Sequence, residues 1–342
     1  MGKEVAPGTA SVSPTHHKIV ALETLFVPLP NKFLVPAGHT YEVVSYPRTR
    51  AGAEVAERIR DADIVVMTIV PVTAADIAGA RNLKMISVVA SGTDSVDLAA
   101  CKERGVHVAN SPSCNEGAVA EHVIALYFSA RRSVPLVNAL VRAGQWPVRG
   151  FLGRTLDGPH GKPPTTCSGE VMGIIGYGSV GKRVEAIAKA LGMAVLVAGR
   201  KGQKEVAKGR VPFDTVIRGS SVLVLCLPRS PETLNTVGEA ELDAMPRYSV
   251  LVNVSRGGIV DEEALVAALK AKKIAGAATD VFVSEPASPD NSPLLAPGTE
   301  ELNLVTTPHV AWCAEDTNYN YNETLKKNIL TWLEDRPINT VV

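Results

Sequence analysis

No charge of either sign predominates in this sequence, where 35 lysines and arginines are balanced by 35 aspartates and glutamates. A neutral chain sets up no field that draws nucleic acid or an anionic membrane surface, so neither is an expected partner. Cysteine is sparse: Cys101, Cys114, Cys167, Cys226 and Cys313 are odd in number and lack any close-pair spacing. That excludes a disulfide framework and a zinc pattern, and reduced thiols fit a cytoplasmic protein. Long apolar runs are missing too, so no membrane span is expected. Residues 1–17 lack the apolar stretch of a secretory signal and read as a flexible polar tail. Asn339–Val342 carries no peroxisomal or retention address. There is no internal repeat, and no cluster has metal-ligand spacing, so no metal is expected.

What is present is an alternation of short β-branched runs with segments of helical periodicity, the signature of a parallel sheet built from βαβ units. With 342 residues the chain exceeds the size of a single core, which implies two domains. The first series of expected strands is Lys18–Thr24, Ala62–Thr68, Met85–Ala90 and Val106–Val108. The second is Val171–Ile175, Ala194–Ala198, Val222–Leu227, Ser249–Val254, Ala275–Val281 and Leu302–Thr306. Six strands with short connections suit a doubly wound nucleotide domain. Ala118–Ala130 reads as a buried helix. Ala143–Glu170, rich in Gly and Pro, reads as an extended surface excursion without periodicity.

Directly after Val171–Ile175 comes Gly176-Tyr177-Gly178-Ser179-Val180-Gly181, followed by apolar residues at helical spacing. Strand, glycine turn and helix together form a dinucleotide fingerprint: Gly176 for the tight turn, Gly178 for close approach to pyrophosphate, Gly181 for helix-to-sheet packing. A tight βα turn without a ligand is the plainer alternative. About twenty residues on, an acid normally holds the adenosine ribose. Here the sequence runs Gly199-Arg200-Lys201. A carboxylate that would repel a 2′-phosphate is replaced by cations that can bind one, which favours NADP over NAD.

Three further segments each follow an expected strand: Val252–Asp261 containing Arg256, Asp280–Pro286 containing Glu285, and Thr307–Trp312 containing His309. Singly, each has an ordinary explanation, as an ion-pair partner, a turn opener or a loop histidine. In this order behind the fingerprint, with Ala90-Ser91-Gly92-Thr93-Asp94 and Ala120-Glu121-His122, the chain closely resembles the D-isomer-specific 2-hydroxyacid dehydrogenases. The resemblance runs from Lys18 to Val342, and its glycerate dehydrogenase and glyoxylate–hydroxypyruvate reductase branch shares Trp312 after His309. It implies an α/β fold in which a Rossmann-type doubly wound parallel sheet, residues 116–312, is inserted into a smaller flavodoxin-like substrate domain, residues 18–115 and 313–342.

By the same resemblance Arg256 binds the substrate carboxylate and 2-oxo group, His309 is the acid/base and Glu285 its partner. Ser91, Gly92 and Trp312 belong to the substrate site. Leu227, Pro228, Thr233, Val254 and Asp280, the last on the nicotinamide carboxamide, join the fingerprint, Arg256 and His309 around the coenzyme. Formate dehydrogenases of the family carry a glutamine at Glu285, so the glutamate argues for carbonyl reduction. The implied substrate is a small 2-oxo acid, glyoxylate or hydroxypyruvate, and the implied assembly a homodimer. The rival function is that of the C-terminal binding proteins, corepressors that use this fold as a coenzyme-responsive scaffold. His16, His17, His39 and His160 read as solvated, while His107 and His122 read as packed or hydrogen-bonded.

Overall fold

The structure, a computed structural model, describes residues 15–203 and 205–342. It divides into two units: residues up to Cys114 with Ala314–Val342, and Asn115–Cys313. Among the described residues no helix is long and apolar enough to cross a membrane, and no group of three or more His, Cys, Asp or Glu could hold a metal ion.

In the first unit the strands are β1 (Thr15–Ala21), β2 (His39–Ser45), β3 (Ile64–Met67), β4 (Met85–Val88) and β5 (His107–Ala109). They pair in the order β2-β1-β3-β4-β5, all parallel. β3 and β4 bury every residue, as strands covered on both faces must. One face packs on α1 (Ala53–Ile59), α2 (Ala74–Gly79) and α3 (Leu98–Arg104) through Val55, Ile59, Ile77 and Cys101. Thr73 and Asp76 start α2 as a reciprocal capping box. The returning α11 (Glu315–Leu333) buries Tyr321, Leu325 and Ile329.

Two expectations fail here. The polar tail does not extend to residue 17: residues 1–14 lie outside the described residues, but Thr15–His17 begin β1. His17, expected in solvent, is 4% exposed, and its Nε2 lies 2.8 Å from His39 Nδ1 on β2. β2 itself was not expected. It is an edge strand whose residues are all exposed or half-buried, so the apolar contrast that betrays a strand is weak.

In the second unit the strands are β6 (Val171–Ile175), β7 (Ala194–Val197), β8 (Val222–Leu225), β9 (Val250–Asn253), β10 (Gly276–Thr279) and β11 (Leu304–Thr306). Their order is β7-β6-β8-β9-β10-β11, again parallel throughout. One face is covered by α4 (Glu116–Arg131) and α7 (Ser179–Ala190), whose Val123, Tyr127 and Val184 meet Ile174, Val224 and Val252. On the other lie α8 (Phe213–Gly219), α9 (Glu239–Ala244) and α10 (Glu262–Lys270), with Val216, Leu242 and Leu265. At the end opposite the glycine turn, Arg131 is buried with Glu170 at 2.8 Å and donates to the carbonyls of Tyr248 and Ser221.

Several strands end one or two residues before the apolar run does, because residues such as Val254 and Val281 are buried beneath loops that carry no ladder. The excursion is less irregular than expected. α5 (Val134–Arg142) precedes it, α6 (Gln145–Arg149) lies within it, and short 3-10 turns occupy Gly153–Leu156 and Cys167–Gly169.

Candidate active site

Winding about a central first strand reverses direction between β7 and β8, which opens a crevice at the carboxyl end of β6. The glycine turn sits there. Gly176 adopts φ +93°, and a Cβ on it would meet the Cys226 carbonyl oxygen at 2.4 Å. A Cβ on Gly181 would lie 2.4 Å from the Gly176 oxygen, so only glycine lets α7 approach this closely. At Gly178 a Cβ would meet nothing within 4 Å. Gly178 caps α7 without a side-chain acceptor, so the first N–H groups of a 12-residue helix face that open space. Space, N–H donors and helix dipole together fit a pyrophosphate. Tyr177 turns its hydroxyl to Glu185.

Beyond β7, Arg200 is exposed. Lys201 does not behave as its sequence position implied: its Nζ lies 2.8 Å from Glu241 Oε1 and donates to the Thr236 carbonyl at 2.9 Å. The ammonium, 45% exposed, is thus paired with a carboxylate in this structure. Around the loop after β8, Leu227 packs on the core, Pro228 is exposed, and Thr233 donates its hydroxyl to the Pro228 carbonyl at 2.8 Å.

The chemistry-bearing side chains come from loops after β9, β10 and β11. Asn253 folds the first by accepting from the Ser255 N–H and hydroxyl and donating to the Arg256 carbonyl. A Cβ on Gly257 would fall 1.8 Å from the Phe282 oxygen, so this loop lies directly against the next. Arg256, half-buried, projects from it and donates to the Ser255 carbonyl.

Glu285 accepts from the Phe282 N–H through Oε1 and lies 2.7 Å from His309 Nδ1 through Oε2. Burial works against the Glu285 charge. The hydrogen bond and charge of His309, the Phe282 N–H and the Arg256 guanidinium outweigh it and hold the carboxyl below its usual range. An ionised carboxylate only accepts, so Nδ1 of His309 is the donor and Nε2 is left to face a substrate.

His309 has φ +54°, which a β-carbon disfavours, and its backbone is pinned to keep it there. Its N–H reaches the Asp280 carbonyl at 2.8 Å. The Asp280 side chain accepts from Thr307 Oγ1 at 2.6 Å, Val310 N at 3.0 Å and Ala311 N at 2.8 Å. Asp280 was expected on the nicotinamide carboxamide. In the structure it is fully buried and, through three protein donors on its two oxygens, clamps the histidine loop. His122, read as packed or hydrogen-bonded, has its Nε2 3.0 Å from Thr307 Oγ1 and extends the clamp. The Trp312 indole donates to the His309 carbonyl at 2.9 Å. Val254 lies 8% exposed behind these loops. In the first unit Ser91 and Gly92 follow β4, where Asn110 donates to the Ser91 carbonyl.

Comparison with known proteins agrees with this geometry. The family model described as "D-isomer specific 2-hydroxyacid dehydrogenase, NAD binding domain" matches residues 124–311. A glycerate dehydrogenase of Methylorubrum extorquens is 36% identical over 303 residues, covering 88% of this chain and 92% of its own length. A D-3-phosphoglycerate dehydrogenase of Archaeoglobus fulgidus is 34% identical over 91% of this chain, which spans only 59% of that longer relative. Among solved structures, an NADPH-dependent glyoxylate/hydroxypyruvate reductase of Sinorhizobium meliloti, in complex with NADP and malonate, superposes with a TM-score of 0.74 at 25% identity over 94% of each chain. The chain belongs to the D-isomer-specific 2-hydroxyacid dehydrogenases. It is thus an oxidoreductase whose second unit is the nicotinamide-dinucleotide domain.

Proposed function

We propose that the chain reduces a small, unphosphorylated 2-oxo acid to the D-2-hydroxy acid, with hydroxypyruvate and glyoxylate as its substrates and NADPH preferred over NADH. The observation that carries this reading is the bond from His309 Nδ1 to Glu285 beside Arg256, all on loops at the carboxyl edge of one sheet. The forked, permanently charged guanidinium holds a carboxylate and polarises the adjacent carbonyl. Bound NADPH supplies the hydride. As charge gathers on the carbonyl oxygen, the imidazolium releases its Nε2 proton to it, while Glu285 keeps the ring oriented and offsets its charge. Oxidation of the hydroxy acid returns that proton to Nε2.

A phosphorylated substrate needs cations, and in the first unit the loops at residues 68–73 and 89–97, after β3 and β4, contain no lysine or arginine. Ser91 and Gly92 serve the substrate carboxylate in this reading, and Trp312 walls the site. The assembly is a homodimer. α5 buries none of its residues, and Val141, Trp146, Val148 and Phe151 are 44%, 58%, 77% and 72% exposed, more apolar surface than a lone protomer comfortably leaves to water. Five unbridged cysteines fit the reducing cytoplasm.

Turnover is tested by following NADPH consumption with glyoxylate, hydroxypyruvate, and branched, aromatic and phosphorylated 2-oxo acids. The small acids are expected to turn over fastest, and His309→Gln to lower kcat about 10²- to 10⁴-fold. Coenzyme binding without turnover across the panel would refute the proposal and favour a scaffold.

A further inference from the structure

Adenosine bound to a fold of this kind lies over the carboxyl end of the second strand, here β7, where an added 2′-phosphate needs cations. Lys201 is occupied by Glu241 and Thr236. Another cation reaches the place from the far end of the same loop. The backbone doubles back on itself: Gly199 N–H donates to the Val211 carbonyl at 2.8 Å and Val211 N–H to the Val197 carbonyl at 2.9 Å. Arg210 is thereby set beside the last residues of β7. Its Nη1 donates to the Ala198 carbonyl at 3.1 Å, and its guanidinium carbon lies 5.3 Å from the centre of the Tyr177 ring, inside the glycine turn. One N–H given to Ala198 leaves the rest of the guanidinium fork for an anion.

An acid at position 199, which would oppose such an anion, could enter only if Val206 shifted. A Cβ on Gly199 would fall 2.4 Å from Val206 Cγ1 and 3.2 Å from its Cβ. Position 199 itself carries no carboxylate, and a planar cation lies beside both the strand end and the phosphate-binding turn.

We propose that Arg210, with exposed Arg200 and without Lys201, recognises the 2′-phosphate and determines coenzyme preference. Resting on the NADPH reading above, it adds a specificity residue that lies outside the usual motif at the strand end. The guanidinium presents charge-assisted hydrogen bonds to the phosphate while its face rests on Tyr177.

The test is calorimetric titration of the whole protein with adenosine 2′,5′-bisphosphate and with adenosine 5′-monophosphate. Comparing the two ligands isolates the 2′-phosphate from effects on the adenine. Arg210→Gln is expected to reduce the affinity ratio about 10- to 100-fold, since bonds to charged groups are individually strong. Lys201→Gln is expected to change it less than about 3-fold. Arg210→Lys, which keeps the charge and loses the fork, should fall between, with melting curves confirming that each variant is folded. An unchanged ratio in Arg210→Gln, or an equal loss in Lys201→Gln, overturns the assignment of Arg210 while a wild-type preference for the bisphosphate leaves the NADPH reading standing. A wild-type protein that binds both ligands alike overturns both.

Discussion

The two units are wound alike, each with its first strand flanked by its second and third and the later strands following in order. In each, the crevice at the end of the first strand is where a ligand is expected. They differ in what fills it. In the second unit the chain leaves β6 as glycines and enters α7 at once, so helix N–H groups point into open space at Gly178. In the first unit the chain leaves β1 as Leu22-Glu23-Thr24, and the buried Glu23 carboxylate accepts from the N–H groups of Thr68, Ile69 and Val70 at 3.0, 2.8 and 2.9 Å. The anion position there is taken by the protein's own side chain. One winding thus leaves an open turn in one place and a turn filled by a side chain in the other, and the residues at the first turn decide which.

Changes that break this contrast are ordered by expected size. Arg131→Met removes the partner of Glu170, whose side chain is 1% exposed. Stranding that charge should lower unfolding free energy by about 3–5 kcal/mol in urea titration. Glu23→Ala leaves the buried Val70 N–H, with those of Thr68 and the exposed Ile69, without a side-chain acceptor and should remove about 1–3 kcal/mol, without creating a second coenzyme site. Gly181→Ala forces α7 off the sheet and should remove about 1–3 kcal/mol and weaken NADPH binding with it.

The smallest effect is a pH slope. Burial, then the neighbouring His39, lowers the His17 value below the ordinary 6.5; Lys84 and His16 act in the same direction and Asp63 opposes them. The fold prefers the neutral ring. Stability tied to it is complete above about pH 6.5 and is lost as pH falls through the lower folded-state value. The melting temperature should therefore fall between pH 7 and 5, and His17→Phe should flatten that slope.

Legibility in the sequence followed the same contrast. β6, the glycine turn and α7 could be read because local chemistry specifies them: a strand that buries nearly every residue, glycines at fixed spacing, apolar helical periodicity. Arg256, Glu285 and His309 were legible as an ordered set after strands. What escaped depends on partners far along the chain. Glu241 meets Lys201 from forty residues away, Arg210 arrives from the other end of its loop, and Asp280 bonds Thr307 and the loop beyond it. β2 escaped because an exposed edge strand has little apolar pattern to show.

The central claim is that dinucleotide binds at the open turn of the second unit and nowhere else. Gly178→Asp tests it directly. The new side chain has space, the backbone there is extended, and aspartate is a good cap for α7, so the fold should keep its melting temperature. Its carboxylate would occupy the pyrophosphate position. Calorimetric titration with NADPH should show one molecule bound per chain in the unmodified protein and none in Gly178→Asp. Binding that persists in the folded variant, or a second molecule bound in the original, would contradict the account.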